Sequence, residues 1–232
     1  FTSGGNDLDS MAYEGRSAVH IAAERHRADI LAALFDAGAE SVNARSQGRT
    51  PLVAAVEAMR SCHRPSRSWS SVVGVLLDAG AEVNVFTATR PRLTLLAYVV
   101  KLQDAELVRL MCAAGADLSA KYFSGQSLLG KAVERGDAEV GKVLLRHGAD
   151  VDARDGFGDT PLLRTLRYMK TLNRGLISEL VRSGADVNAV NSIDGSTALT
   201  HLLDMSNERW VGAEETKRML EAMLDWGLDP NQ

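Results

Sequence analysis

Apolar residues along this chain fall into short helical stretches, each followed by a glycine. The clearest unit spans Gly125 to Ala153. Leu128, Leu129, Ala132 and Val133 open it at helical spacing, and Gly136-Asp137 then turns the chain. A second stretch sets Val140, Val143 and Leu144 on its apolar side and Lys142 and Arg146 outside. Gly148 stands where a positive-φ residue ends a helix, and residues 150–158 cross to the next unit as an extended turn. Each predicted helix has only about two to three turns, too few to be stable alone. Such a unit buries its apolar face only against neighbours, so stability is roughly a sum of units and interfaces.

The ending of this unit recurs as GAESVNA at 38–44, GAEVN at 80–84, GADLSA at 115–120, GADVDA at 148–153, GADVNA at 184–189 and GLDPN at 227–231. The glycines lie 42, 35, 33, 36 and 43 residues apart. A period near 33 with irregular additions is the mark of a solenoid. The starts recur as well. Thr50-Pro51-Leu52 and Thr160-Pro161-Leu162 are full versions, while Ser17-Ala18-Val19-His20-Ile21-Ala22, Thr94-Leu95-Leu96, Ser127-Leu128-Leu129 and Thr197-Ala198-Leu199 are decayed ones. Thr or Ser caps the first helix, Pro occupies a first-turn position that needs no N–H, and Leu enters the core.

These starts and endings resemble the ankyrin repeat, whose signature is T-P-L-H-x-A, over residues 12–231. The resemblance implies an all-α solenoid of about six helix-turn-helix repeats with short β-like finger turns. Residues 1–11 read as a frayed lead-in or linker. The repeats are expected at approximately 12–44, 45–84, 85–120, 121–153, 154–189 and 190–231. Repeat 2 carries about nine extra residues in RSCHRPSRSWSS, and solenoid insertions go to loops on one face. Arg60, His63, Arg64 and Arg67 make that loop basic, and Trp69 is expected to dock it on the stack. In repeat 3, Arg92 replaces the usual glycine, so that finger should depart from a tight turn. Three extra residues in RTLRYMKTLNRG should lengthen the first helix of repeat 5 by about one turn, with at least three of Arg164, Arg167, Lys170 and Arg174 along one side. A last helix at 216–226, with Met219, Leu220, Met223 and Leu224 inward, reads as a C-terminal cap.

Composition adds limits. The chain has 232 residues, 45% apolar and only 5% aromatic, as thin layers of Ala, Leu and Val require. A net charge of −4 argues against a general nucleic-acid binder. No apolar run approaches a membrane span, and no signal peptide is recognisable. Cys62 and Cys112 form no disulfide framework, so a reducing compartment, cytoplasm or nucleus, is expected. The start at Phe1 without Met and the end at Gln232 are read as those of a fragment of a longer protein.

The histidines are scattered without Cys or Asp at ligand spacing, so neither a metal nor another cofactor is expected. Cys62-His63 lacks an orienting third group, and no constellation for catalysis is found. The expected function is therefore a non-catalytic protein- or peptide-binding module. Alternatives are a regulatory or recruiting domain of a larger enzyme or receptor, or a structural, self-associating domain. The resemblance places binding on fingers and first helices. Carried over by register, that implies Tyr13, Arg16, Arg25, Arg49, Arg90, Lys101, Phe123, Arg135, Phe157, Arg167 and Tyr168. Glu24, Gln126, Glu134, Asp159 and Ile193 fall on the same face by that register. Aromatic rings ringed by arginine have the composition of interface anchors. The basic loop points to an acidic or phosphorylated partner.

Overall fold

The computed structural model describes residues 15–59, 68–122, 124–168, 173–207 and 213–231. Twelve α-helices lie among them. They are α1 (Ala18–Glu24), α2 (Ala28–Asp36), α3 (Pro51–Ala58), α4 (Ser68–Asp78), α5 (Leu95–Leu102), α6 (Ala105–Ala113), α7 (Leu128–Glu134), α8 (Ala138–Arg146), α9 (Pro161–Tyr168), α10 (Arg174–Arg182), α11 (Ala198–Asn207) and α12 (Ala213–Asp225). The starts are capped as the sequence requires. The side chains of Ser17, Thr50 and Ser127 accept from His20, Val53 and Gly130 N–H, and Pro51 fills the first turn of α3. Gly38, Gly80, Gly115, Gly148, Gly184 and Gly227 all hold positive φ at the helix stops.

The chain divides into two compact units, residues 1–99 with 106–117 and residues 100–105 with 118–232. In the first, α1 packs on α2 and α3, and α4 packs on α2 and α3. In the second, first helices line up as α7, α9 and α11, second helices α8 and α10 pack behind them, and α12 closes on α11. Leu52, Val56 and Leu76 in the first unit, and Leu129, Leu144, Leu163 and Leu180 in the second, are fully buried. No single pair could enclose these side chains, so the stack supplies the core.

Asparagine ties successive repeats at the endings. Asn43 donates to the Gly80 carbonyl at 3.0 Å and accepts from Glu82 N–H at 2.8 Å. Asn84 does the same with Gly115 and Asp117, at 3.2 and 2.8 Å, and Asn188 with Gly227 and Asp229, at 2.9 and 2.7 Å. Asp152 holds this position between repeats 4 and 5, where it only accepts, from Asp186 N–H.

Several expectations change. Trp69 lies inside α4, which begins at Ser68, and stacks on His26 with ring centroids 4.7 Å apart. Arg174 opens α10 instead of extending α9, so it does not share a face with Arg164 and Arg167. Arg164 is buried, because two carboxylates receive it. Leu224 is 42% exposed, since α12 turns Met219 and Met223 inward. The wide finger of repeat 3 holds: Phe86 pairs with Thr94, and Glu57 accepts from Ala88 and Thr89 N–H within it.

Candidate functional site

In the first unit, Arg16, Arg25 and Arg49 line one hollow of about 760 Å³ with Glu24, Glu57 and Tyr98. Arg16 pairs with Glu24 at 2.9 Å. The Glu57 side chain is buried, is committed to the repeat-3 finger, and holds Arg49 loosely at 3.8 Å. Arg25 is exposed. Arg90 is exposed but outside the hollow, and the neighbouring Arg92 lies over the Phe86 ring at 5.0 Å. Tyr13, Phe123 and the basic loop of Arg60, His63, Arg64 and Arg67 lie outside the described residues.

The second unit builds a different surface. The finger Asp155-Gly156-Phe157-Gly158-Asp159 closes on the Asp155 carboxylate, whose Oδ1 accepts from Phe157 and Asp159 N–H at 2.9 and 3.1 Å. This throws Phe157 outward, 52% exposed. Gly156 donates to the Ser124 carbonyl at 2.8 Å, pinning this finger to the previous one. The following finger is organised by Asn191, whose Oδ1 accepts from Ile193 and Asp194 N–H. Asn191 Nδ2 donates to the Phe157 carbonyl at 2.9 Å and to Asp159 at 2.7 Å, joining the two fingers.

Beneath the fingers lies Arg164, the lone charge in the run TPLLRT. Its guanidinium donates to Glu134 at 2.6 and 3.1 Å and to Asp155. The same guanidinium lies 4.7 Å from the Tyr168 ring and 5.8 Å from the Phe157 ring, so one cation supports both aromatics. Burial works to raise the Glu134 pKa, but hydrogen bonds from Lys131, Gln126 and Arg164 outweigh it and hold the value at about 2. Arg167 donates to Asp194 at 2.7 Å and Ser196 at 2.6 Å, and lies 3.4 Å from Asp159. Hydrogen bonds from Ser196, then from Arg167, keep Asp194 below the usual carboxylate range.

Phe157, Arg167 and Tyr168 therefore converge, joined by Ile193 at 70% exposure. Lys101 is exposed elsewhere, and Arg135 reaches Gln103 at 3.3 Å. Sequence reasoning placed Arg164 on an outer basic stripe and missed Asn191, Asp194 and Ser196. A solitary arginine in an apolar run was the available signal for the first. The others are ordinary loop residues until the fingers are stacked.

Ser196 Oγ and His201 Nε2 lie 3.2 Å apart, but Oγ donates to Asp194 at 2.6 Å while Nε2 accepts from Arg167 at 3.3 Å. The pair is thus engaged structurally, not arranged as nucleophile and base. Among the described residues no three His, Cys, Asp or Glu come together as metal ligands would, and no helix is long and apolar enough to cross a membrane. Burial raises the Cys112 thiol to about 11, so it is inert at neutral pH.

An ankyrin repeat model matches residues 124–156. The NF-kappa-B inhibitor cactus of Drosophila yakuba and that of Drosophila melanogaster are each 33% identical over 113 residues, 48% of this chain. The chain covers 21% of the length of these curated relatives. An ankyrin repeat domain from Acinetobacter baumannii superposes with a TM-score of 0.72 at 22% identity, over 91% of this chain and 98% of the other. The ankyrin repeat domain of Bcl-3, described as a member of the IkappaB family, gives 0.56 at 28% identity, over 76% and 72%. The recurring starts and stops, the packed helix pairs and these likenesses agree: the chain has the fold of ankyrin repeat domains, and its residues 124–156 match an ankyrin repeat.

Proposed function

We propose that this chain is a non-catalytic protein- or peptide-binding module and that Phe157, Tyr168 and Ile193 form its main docking surface. The supporting observation is exposure on a rigid support. Three large apolar side chains face solvent, while Asn191 holds the Phe157 carbonyl and Arg164 and Arg167 grip the carboxylates of the two fingers beneath them. Preorganised aromatic anchors of this kind lose little freedom on binding. The curated relatives are named as inhibitors of another protein, which also favours a protein partner. We read the module as part of a longer protein working in the cytoplasm or nucleus, where it would recruit or regulate through this surface.

A second reading, an acidic or phosphorylated partner, has its support in the first unit. There Arg25 is exposed and Arg49 is loosely held. The two readings separate by mutation. The triple variant Phe157→Ala, Tyr168→Ala, Ile193→Ala should lose captured partners while its melting temperature stays within a few degrees of wild type, since exposed positions contribute little to the fold. Arg25→Ala should leave capture intact. Full retention of partners by the triple variant would end the main reading.

A further inference from the structure

We infer that the Phe157–Tyr168–Ile193 surface receives an uncharged apolar segment of its partner and rejects an acidic or phosphorylated one; this rests on the docking role proposed above. The three side chains form one patch. Phe157 and Tyr168 flank the Arg164 guanidinium, and Ile193 lies over Gly158, where an added Cβ would come within 3.1 Å of it.

Arginines at a patch of aromatics usually invite an anion. Here they are already answered from within. Arg164 is held by Glu134 and Asp155, and Arg167 by Asp159 and Asp194. Lys131 pairs with Glu134 at 2.5 Å, and Arg154 donates to the Gly158 and Val190 carbonyls. Three cations, Lys131, Arg164 and Arg167, meet four carboxylates, Glu134, Asp155, Asp159 and Asp194, and Arg154, held by the two carbonyls, brings the sum of these eight groups to zero. Glu134 and Asp194 both stay ionised across physiological pH, so these two carboxylates do not release their arginines.

An incoming phosphate would have to displace a carboxylate that is already in place and partly desolvated. Its own desolvation would then go uncompensated. The same holds for a partner ammonium, since each carboxylate already lies within ion-pair distance of a cation. An apolar side chain pays neither cost and covers the rings. The buried pairs thus exclude charged partners by leaving them nothing to bind.

The test uses a library of random twelve-residue peptides displayed on phage and panned on the whole chain. Selected peptides are then synthesised and measured by fluorescence anisotropy. Peptides that bind at this surface are those lost on the Phe157→Ala, Tyr168→Ala, Ile193→Ala variant. They should carry Leu, Ile, Phe or Trp without Asp or Glu at the contact. Their affinity should change by less than about twofold between about 50 and about 500 mM NaCl. Replacing the apolar anchor by Glu or phosphoserine should weaken binding by about tenfold or more. Acidic or phosphate-dependent peptides, or affinity that falls steeply with salt, would overturn the inference while leaving the docking site in place. If no selected peptide is lost on the variant, the docking reading itself fails. A dimer that forms in sedimentation and is lost in the variant would assign the surface to a second copy of the chain and also overturn the inference.

Discussion

Replacing Asp152 by Asn should make this protein more stable. Asn43, Asn84 and Asn188 each bridge to the next repeat with two hydrogen bonds, one donated to a glycine carbonyl and one accepted from the N–H two residues on. Asp152 accepts one N–H, that of Asp186, shared between its two oxygens at 3.2 Å each, and while ionised it has no hydrogen for the Gly184 carbonyl. Burial, then the nearby Asp186 and Asp150 charges, push its pKa up against the Asp186 N–H hydrogen bond and the Arg154 charge, which lower it. Asn restores the missing donor, worth about 1 kcal/mol, and removes a half-buried charge as well. For a chain of this size that corresponds to a melting temperature higher by about 2–4 °C.

The pH dependence is the stricter check. A carboxyl whose pKa is raised in the native state takes up its proton there before the unfolded chain does. Wild-type stability from this group therefore increases as pH falls through the raised value. Protonated Asp152 can also donate to Gly184. The advantage of Asp152→Asn should thus be full at pH 7 and shrink as pH falls into and below the carboxylate range. Urea unfolding of both proteins at several pH values measures it. A variant no more stable than wild type at pH 7, or a gain unchanged at low pH, would refute the bridging argument.

Three further outcomes are expected. Arg164→Met should cost about 3–5 kcal/mol in urea unfolding by stranding Glu134 and Asp155, and the triple variant Arg164→Met, Glu134→Gln, Asp155→Asn should recover most of it. Gly156→Ala should cost about 1–3 kcal/mol, because its Cβ would meet the Ser124 carbonyl oxygen at 2.5 Å; hydrogen exchange at the Gly156 amide should rise at the same time. Burial, then Arg167, lowers the His201 pKa, so the native state keeps that ring neutral; the stability it contributes is present above the ordinary value of about 6.5 and is lost as pH falls through the lowered one. His201→Gln should flatten that acid-side decline in the urea midpoint, with the remaining slope due in part to His20, whose pKa is also lowered by burial.

The repeat was legible in the sequence because its determinants are local. A Thr or Ser cap, a first-turn proline and a positive-φ glycine each act within a few residues, so Thr50-Pro51-Leu52 and Gly148 announce helix limits without reference to the rest of the chain. Phe157 was legible for the same reason, since Asp155 and Gly158 make its turn by themselves. What those local signals could not convey was which groups meet across repeats. Arg164 reads as another surface cation until Glu134, 30 residues earlier, and the Asp155 finger are stacked over it. Asn191 reads as a loop residue until Asp159, 32 residues away, lies beside it. Repeat packing brings these distant groups within hydrogen-bonding reach and partly out of water. Only the tertiary structure therefore decided that the arginines of this surface are neutralised while its rings stay exposed.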